Sequence, residues 1–246
     1  MKKENLCKIL SPFFLILVWY GLAAIIQAPL ILPYPHAVLI RLFELAVTAA
    51  FWKAFAFTFL RVIISFLISM TAGFFIGLFA ADSKAFSALI EFPLGLVRAS
   101  PVIAVILPAL FWFTSDLVPV FVAVLMCLPL VITGSQKGFS HTPENLEKLF
   151  KAKSRGFTGL RAFFYIRLPA AGPALISAAE SAFGFAWKVV AAGEVLSIPR
   201  NAAGSLMQQA QVHLETCDVL AVTLALIVIS YVCQKYIVKI IKKRYN

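Results

Sequence analysis

PENLEKLFKAKSRGFTGLRAFFYIRLPAAGP, residues 143–173, is the one long basic, polar interval in a chain that otherwise reads as apolar runs. It holds Lys148, Lys151, Lys153, Arg155, Arg161 and Arg167 against Glu144 and Glu147, with Lys137 just ahead, and it closes on Leu168-Pro169, where apolar sequence resumes. Loops that carry an excess of Lys and Arg between membrane spans face the cytoplasm. The stretch is therefore expected on that side, placed to meet a partner.

Working outward, the 246 residues are 61% hydrophobic and 13% charged, with a mean hydropathy of +0.92. A water-soluble domain is roughly 45–50% apolar, so the composition specifies an all-α integral membrane protein. At about 20 apolar residues per helical span, the chain has room for five or six spans and short loops. A single membrane domain over 1–246 is expected. The net charge of +11 lies in loops and tails rather than on a helix face, which makes it a topology signal, and no nucleic-acid partner is expected. Cys7, Cys127, Cys217 and Cys233 are scattered without a CxxC pair, so neither a disulfide nor a metal site is expected.

Taken in order, residues 1–28 form a basic tail and a first span. The apolar run 9–26 exceeds the 7–15 residues of a signal-peptide core and is read as uncleaved. Residues 30–46 place Pro33 and Pro35 ahead of an amphipathic segment, which predicts an extended entry into a short interfacial helix. The core, 55–240, holds five further spans at 55–81, 89–113, 117–133, 175–196 and 219–238, which makes six in all. Gly73 and Gly77 have the spacing that lets another helix come close. The span 89–113 contains Pro93, Pro101 and Pro108 and is predicted to be kinked and to face protein rather than lipid. The interval after the fifth span, with Pro199, Arg200, Asn201 and several Gln, reads as a polar loop.

With the N-terminus inside, sixteen of the 22 Lys and Arg fall on the inner side and three, Arg41, Lys53 and Arg200, on the outer. Both termini and the loop 137–168 are therefore expected to be cytoplasmic. Arg61, Arg98 and Lys188 lie within spans, as do Glu180 and Glu194. Charge at membrane depth is costly, so such groups pair or serve a pathway. Glu180 is read either as an ion pair with Lys188 or Arg98, or as a pathway carboxylate favouring cationic or neutral solutes. Arg98 is open to the same two readings, and Glu194, at the outer end of its span, is read as a pathway or pairing candidate or as a plain interfacial residue.

The sequence holds no GxxxxGK[ST] phosphate loop, no HExxH and no nucleophile elbow, and His36, His141 and His213 stand alone, so no cofactor, metal or hydrolytic site is expected. The lack of an internal repeat weighs against repeat-built secondary carriers. An ion-coupled carrier or channel acting without an ATPase remains as the alternative, with Glu180 its one deep carboxylate.

One spacing is more specific. Gly156, nine residues, then Ile166-Arg167-Leu168-Pro169 resembles the second half of the EAA motif of ABC importer permeases. LVRASPVIAVILPALFWF, LPAAGPALISAAESAFGFAWKVVAAGEVL and AGSLM are similar, in order, to the nitrate, sulfonate and taurine type members. The resemblance implies a six-span type I importer bundle in a bacterial cytoplasmic membrane, with a short cytoplasmic coupling helix docked on an ATPase. It implies cytoplasmic ATPase subunits, a second permease subunit expected to be a second copy, and an extracytoplasmic binding protein. ATP would act on the partner, closing the ATPase dimer and rocking the spans. The solute would be a sulfonate, nitrate, taurine or another small organic such as a vitamin precursor. The ATPase-coupling residues carried over are Glu147, Phe150, Lys151, Ala152, Gly156, Ile166, Leu168 and Pro169. Phe150, Lys151 and Ala152 stand where the family has Glu-Ala-Ala, and Glu147, one turn earlier, is the acidic substitute if three residues are inserted.

Overall fold

The computed structural model describes the backbone of residues 2–140 and 163–243, and side chains within 10–140, Pro12 apart, and 163–236. Among these residues every regular element is a helix. Helix α1 is Lys2–Ile26, α2 Pro35–Ala46, α3 Ala49–Asp82, α4 Lys84–Ala99, α5 Val102–Trp112 and α6 Val118–Ser140. After a π-helical turn, Phe163–Arg167, come α7 Leu168–Ser197, α8 Ala203–Val212 and α9 Thr216–Lys243.

The predicted spans correspond to α1, α3, the pair α4–α5, α6, α7 and α9. Four described helices are long and apolar enough to cross a membrane, and the α4–α5 pair makes a fifth when taken as one span. The apolar part of α1, Phe13–Ile26, is shorter. Helix α3 begins ahead of the predicted 55–81, because the Thr48 hydroxyl accepts from the Phe51 amide and caps it. Its 34 residues rise about 51 Å, well beyond the hydrocarbon thickness of about 30 Å. Part of α3 therefore projects beyond the bilayer core or the helix tilts.

The bundle is centred on α6, with α3 on one side and α7 on the other. Val62, Val122, Val131, Phe183 and Val190 are fully buried between them. The Gly73 and Gly77 pair works as predicted: a Cβ on Gly73 would stand 2.7 Å from the Val131 Cβ, and one on Gly77 2.5 Å from the Ser135 Cβ. Hydroxyls reinforce the seam, Ser65 reaching the Val120 carbonyl at 3.4 Å and Ser69 that of Val124 at 3.3 Å. A second cluster, Phe51, Phe55, Ala203 and Val222, joins α3 to α8 and α9.

The interfacial segment forms as expected: Tyr34 is extended at φ −65°, ψ 145°, and α2 starts with Pro35. The Arg41 guanidinium donates to both Asp218 oxygens, at 2.5 and 2.9 Å, and to Glu44, at 2.8 Å, which ties α2 to α9 and holds the guanidinium above its usual range.

The span 89–113 departs from its expectation. It is broken rather than kinked, with α4 and α5 meeting at 99°. Ser100 and Pro101 are both extended, at ψ 127° and 139°. Proline pushes the residue before it out of the helical region and supplies no amide to Val97, so the helix stops there. The Ser100 amide repairs the end by bonding the Leu96 and Val97 carbonyls, at 3.0 and 3.3 Å. Nor is the first half buried against protein: α4 has no buried residue in this chain.

Candidate functional site

Two polar constellations lie on this scaffold, one at the end of the bundle where α7 turns into α8, the other at mid-depth.

At the turn, Glu194, in the last turn of α7, is fully buried, and Arg61 of α3 has a side chain only 7% exposed. Arg61 Nη1 donates to Glu194 Oε1 at 2.9 Å and Nη2 to Asp116 Oδ1 at 2.6 Å. The same guanidinium reaches the Asn201 and Arg200 carbonyls, at 3.4 and 3.3 Å. The other Glu194 oxygen accepts from the Thr58 hydroxyl at 2.9 Å and the Gly204 amide at 3.1 Å, and Thr58 in turn accepts from the Ala203 amide at 2.9 Å. Ala203 and Gly204 open α8, whose first amides have no partner within the helix. A carboxylate there satisfies them and lies at the positive end of the helix dipole. Only glycine fits at 204, since a Cβ would stand 2.5 Å from the Glu194 Cβ. Ile198, left-handed at φ 47°, ends α7 and lets the chain fold back.

Sequence reasoning singled out Glu194 but missed Thr58, Arg61 and Asp116 as its company. The signal was present: Arg61 and Glu194 are opposite charges inside predicted spans, and such charges find each other. The polar loop read after the fifth span is in part the helix α8. Its N-cap, Ala202, has no capping side chain, and the capping groups come from residues remote in sequence.

At mid-depth, a cavity of about 510 Å³ opens between the α4–α5 break, α6, α7 and α9. Arg98, Trp187, Lys188, Ser181 and Gln234 are in its wall. A second cavity of about 460 Å³ shares Arg98 and Ser181 and extends to Lys137. Arg98 stands at the junction, donating to the Pro129 carbonyl at 3.2 Å and to the Thr133 hydroxyl. Together the two walls carry Arg98, Lys137 and Lys188 and, among the described residues, no carboxylate. Cationic walls in a low-dielectric cleft raise the local concentration of anions.

Glu180 lines neither cavity. It is half-buried, and its backbone carbonyl accepts from Gln234 Nε2 at 3.4 Å. The ion pairs of the described residues include none from Glu180 to Lys188 or Arg98. Lys188 is exposed to the cavity, and Arg98 is engaged with α6 instead. Among the described residues, Glu194 is a carboxylate within a span that is held in an ion pair, with Arg61.

Of the coupling residues, Glu147, Phe150, Lys151, Ala152 and Gly156 lie outside the described residues. Ile166 is buried within the π-helical turn, Leu168 is half-buried, and Pro169 is the second residue of α7, which continues directly from that turn.

A multi-pass helical bundle with a cation-lined cavity at mid-depth is the architecture of a membrane transport component. Residues 73–245 match the family of binding-protein-dependent transport system inner membrane components. The chain belongs to that family and is a multi-pass inner-membrane permease of the ABC importer type. It is 22% identical over 230 residues to the taurine transport system permease protein TauC of Escherichia coli (strain K12), covering 89% of this chain and 82% of that one. It is 26% identical over 197 residues to the putative aliphatic sulfonates transport permease protein SsuC of the same organism, covering 80% and 73%. Its fold matches a chain of the inward-facing MetNI methionine ABC transporter with a TM-score of 0.57 at 16% identity, over 77% of this chain and 93% of that one.

Proposed function

We propose that this permease carries a small organic solute with an anionic sulfonate group, an alkanesulfonate or the zwitterion taurine, from an extracytoplasmic binding protein to the cytoplasm, and that ATP is hydrolysed on separate cytoplasmic subunits. A second copy of the chain completes the pathway, both termini are cytoplasmic, and the segment 141–162 meets the ATPase. The observation that carries the solute class is the cavity wall: Arg98, Lys137 and Lys188 with no carboxylate among the described residues. The relatives named for taurine and sulfonates agree with it.

Mid-depth is where alternating-access proteins hold their cargo. There, Arg98 offers a planar fork matched to sulfonate or carboxylate oxygens, and Lys188 a mobile point charge. Trp187 and Met126 supply an apolar wall for the rest of the molecule. The pathway is tested by Lys188→Glu in a strain that depends on this system. Uptake of an alkanesulfonate or taurine is expected to fall by an order of magnitude or more, while a charge-neutral Lys188→Gln keeps part of it. Undiminished uptake of the anion by Lys188→Glu would remove Lys188 from the pathway and with it the argument for an anion.

A further inference from the structure

At the end of the bundle opposite the Arg61 cluster, Arg167 and Asp82 form a paired contact: Nη2 to Oδ1 at 2.5 Å and Nη1 to Oδ2 at 3.3 Å. We infer that this pair is the strut through which displacement of the segment 141–162 reaches α4 and the mid-depth cavity, so that Asp82 and Arg167 are positioning residues of the transport cycle. The inference rests on the reading of 141–162 as the segment that meets the ATPase.

Both roots of that segment are clasped together. Phe139, next to last in α6, leads into it. Phe163 and Arg167 lead out of it. The Phe139 and Phe163 rings stack at 5.8 Å and 25°, and the Arg167 guanidinium lies over the Phe139 ring at 5.9 Å. Phe74 of α3 meets Phe139 edge-on at 5.4 Å. The two roots therefore move as one unit with the start of α7.

Asp82 is the last residue of α3, and its neighbour Ser83 caps α4 by accepting from the Phe86 amide at 3.2 Å. A pull on the Asp82 carboxylate is thus a pull on the α3–α4 corner. Helix α4, on the far side of that corner, is able to respond. It has no buried residue; apart from the partly buried Val97, which packs against the core, its ties to α6 are polar: Gln136 Nε2 to Ser87 Oγ at 2.7 Å near one end, and Arg98 to the Pro129 carbonyl and Thr133 at the other. Beyond Arg98 the chain breaks at Ser100-Pro101. Helix α4, 16 residues with Pro93 inside it and about 24 Å long, turns at both ends, at the Asp82 corner and beside the cavity. Motion at Asp82 is delivered to Arg98, the charged residue common to both cavity walls.

The energetics fit a positioning role better than a stabilising one. The Arg167 and Asp82 side chains are 26% and 52% exposed, and ion pairs so open to solvent contribute little to stability. A two-point fork between guanidinium and carboxylate nevertheless fixes geometry.

The experiment uses the full permease purified with its ATPase in proteoliposomes, reading solute taken up per ATP hydrolysed. Asp82→Asn and Arg167→Gln are expected to assemble with the ATPase in wild-type yield and to hydrolyse ATP, with the uptake-to-hydrolysis ratio down about tenfold, a typical coupling effect. The reversed pair, Asp82→Arg with Arg167→Asp, is expected to restore most of the ratio. Wild-type ratios in the single variants, or no recovery in the reversed pair, would overturn the strut. So would loss of the ATPase from a single variant, since that marks a contact needed for assembly. A wild-type complex with no ATP-driven uptake would overturn the proposed function along with the strut, whereas an unaltered ratio in the variants of a coupled wild type overturns the strut alone.

Discussion

Arg61 and Glu194, 133 positions apart in the chain, meet at 2.9 Å with the carboxylate wholly excluded from solvent. The pair joins the middle of the bundle to the corner where α7 becomes α8, and it is one strand of a net that also holds Thr58, Asp116 and the first amides of α8. In so dry a place the Glu194 carboxylate is not tolerable without Arg61, whereas Arg61 also keeps Asp116, whose side chain is 61% exposed. Removing one partner of a buried pair costs about 3–5 kcal/mol, whereas replacing both with apolar groups of similar volume is often neutral.

Glu194→Ala is therefore expected to destabilise the permease in detergent by about 3–5 kcal/mol, seen as a large drop in melting temperature. The double change Arg61→Met with Glu194→Leu should recover much of the loss, though α8 forfeits its cap. A melting curve for Glu194→Ala that overlays the wild type would show that the net is not structural.

The seam between α3 and α6 is equally specific. Gly77→Ala places a Cβ 2.5 Å from that of Ser135, and both belong to packed helices. Overpacking of this kind costs about 1–3 kcal/mol. In contrast, Gly95→Ala in α4 meets nothing within 4 Å and should be neutral or slightly stabilising, as Ala is the better helix former. Thermal melts of the two variants side by side decide whether the glycine spacing marks a true helix contact.

Glu180→Gln should leave the choice of solute unchanged, because Glu180 lines neither cavity. Competition of anionic, neutral and cationic solutes against the transported one, in variant and wild type, measures this. A shift of preference toward anions in the variant would return Glu180 to the pathway.

Much of the fold is legible in the sequence because a membrane span announces itself by a long apolar run, and such runs give the positions of α3, α6, α7 and α9. Three features are not. The break at Ser100-Pro101 reads as a kink, because proline spacing does not reveal that two successive residues turn extended. Helix α8 reads as loop, because its caps, Thr58 and Glu194, are brought by other helices. The partner of Glu194 is hidden too, since Glu180, Lys188 and Arg98 are nearer in sequence or more central. Sequence distance hides a contact that packing across α3 and α7 creates. At the site, Arg98 and Lys188 are legible as charges at membrane depth, but their convergence on one cavity depends on the α4–α5 bend.

The segment 143–173 leads to a prediction of its own. Gly156→Arg should insert and fold with the wild-type yield yet lose ATP-driven uptake, because a bulky cation would sit where the resemblance places the glycine that closes the coupling helix. Normal ATP-driven uptake by this variant would contradict the assignment of 141–162.

The central claim, that this chain is the anion-carrying permease of an ATPase-driven importer, is tested most directly by uptake into proteoliposomes containing the permease, its copurified ATPase and the binding protein. The account predicts accumulation of a small sulfonate that requires ATP on the cytoplasmic side and is lost with Lys188→Glu. Accumulation that proceeds without ATP, or purification in mild detergent with no ATPase attached, would contradict it.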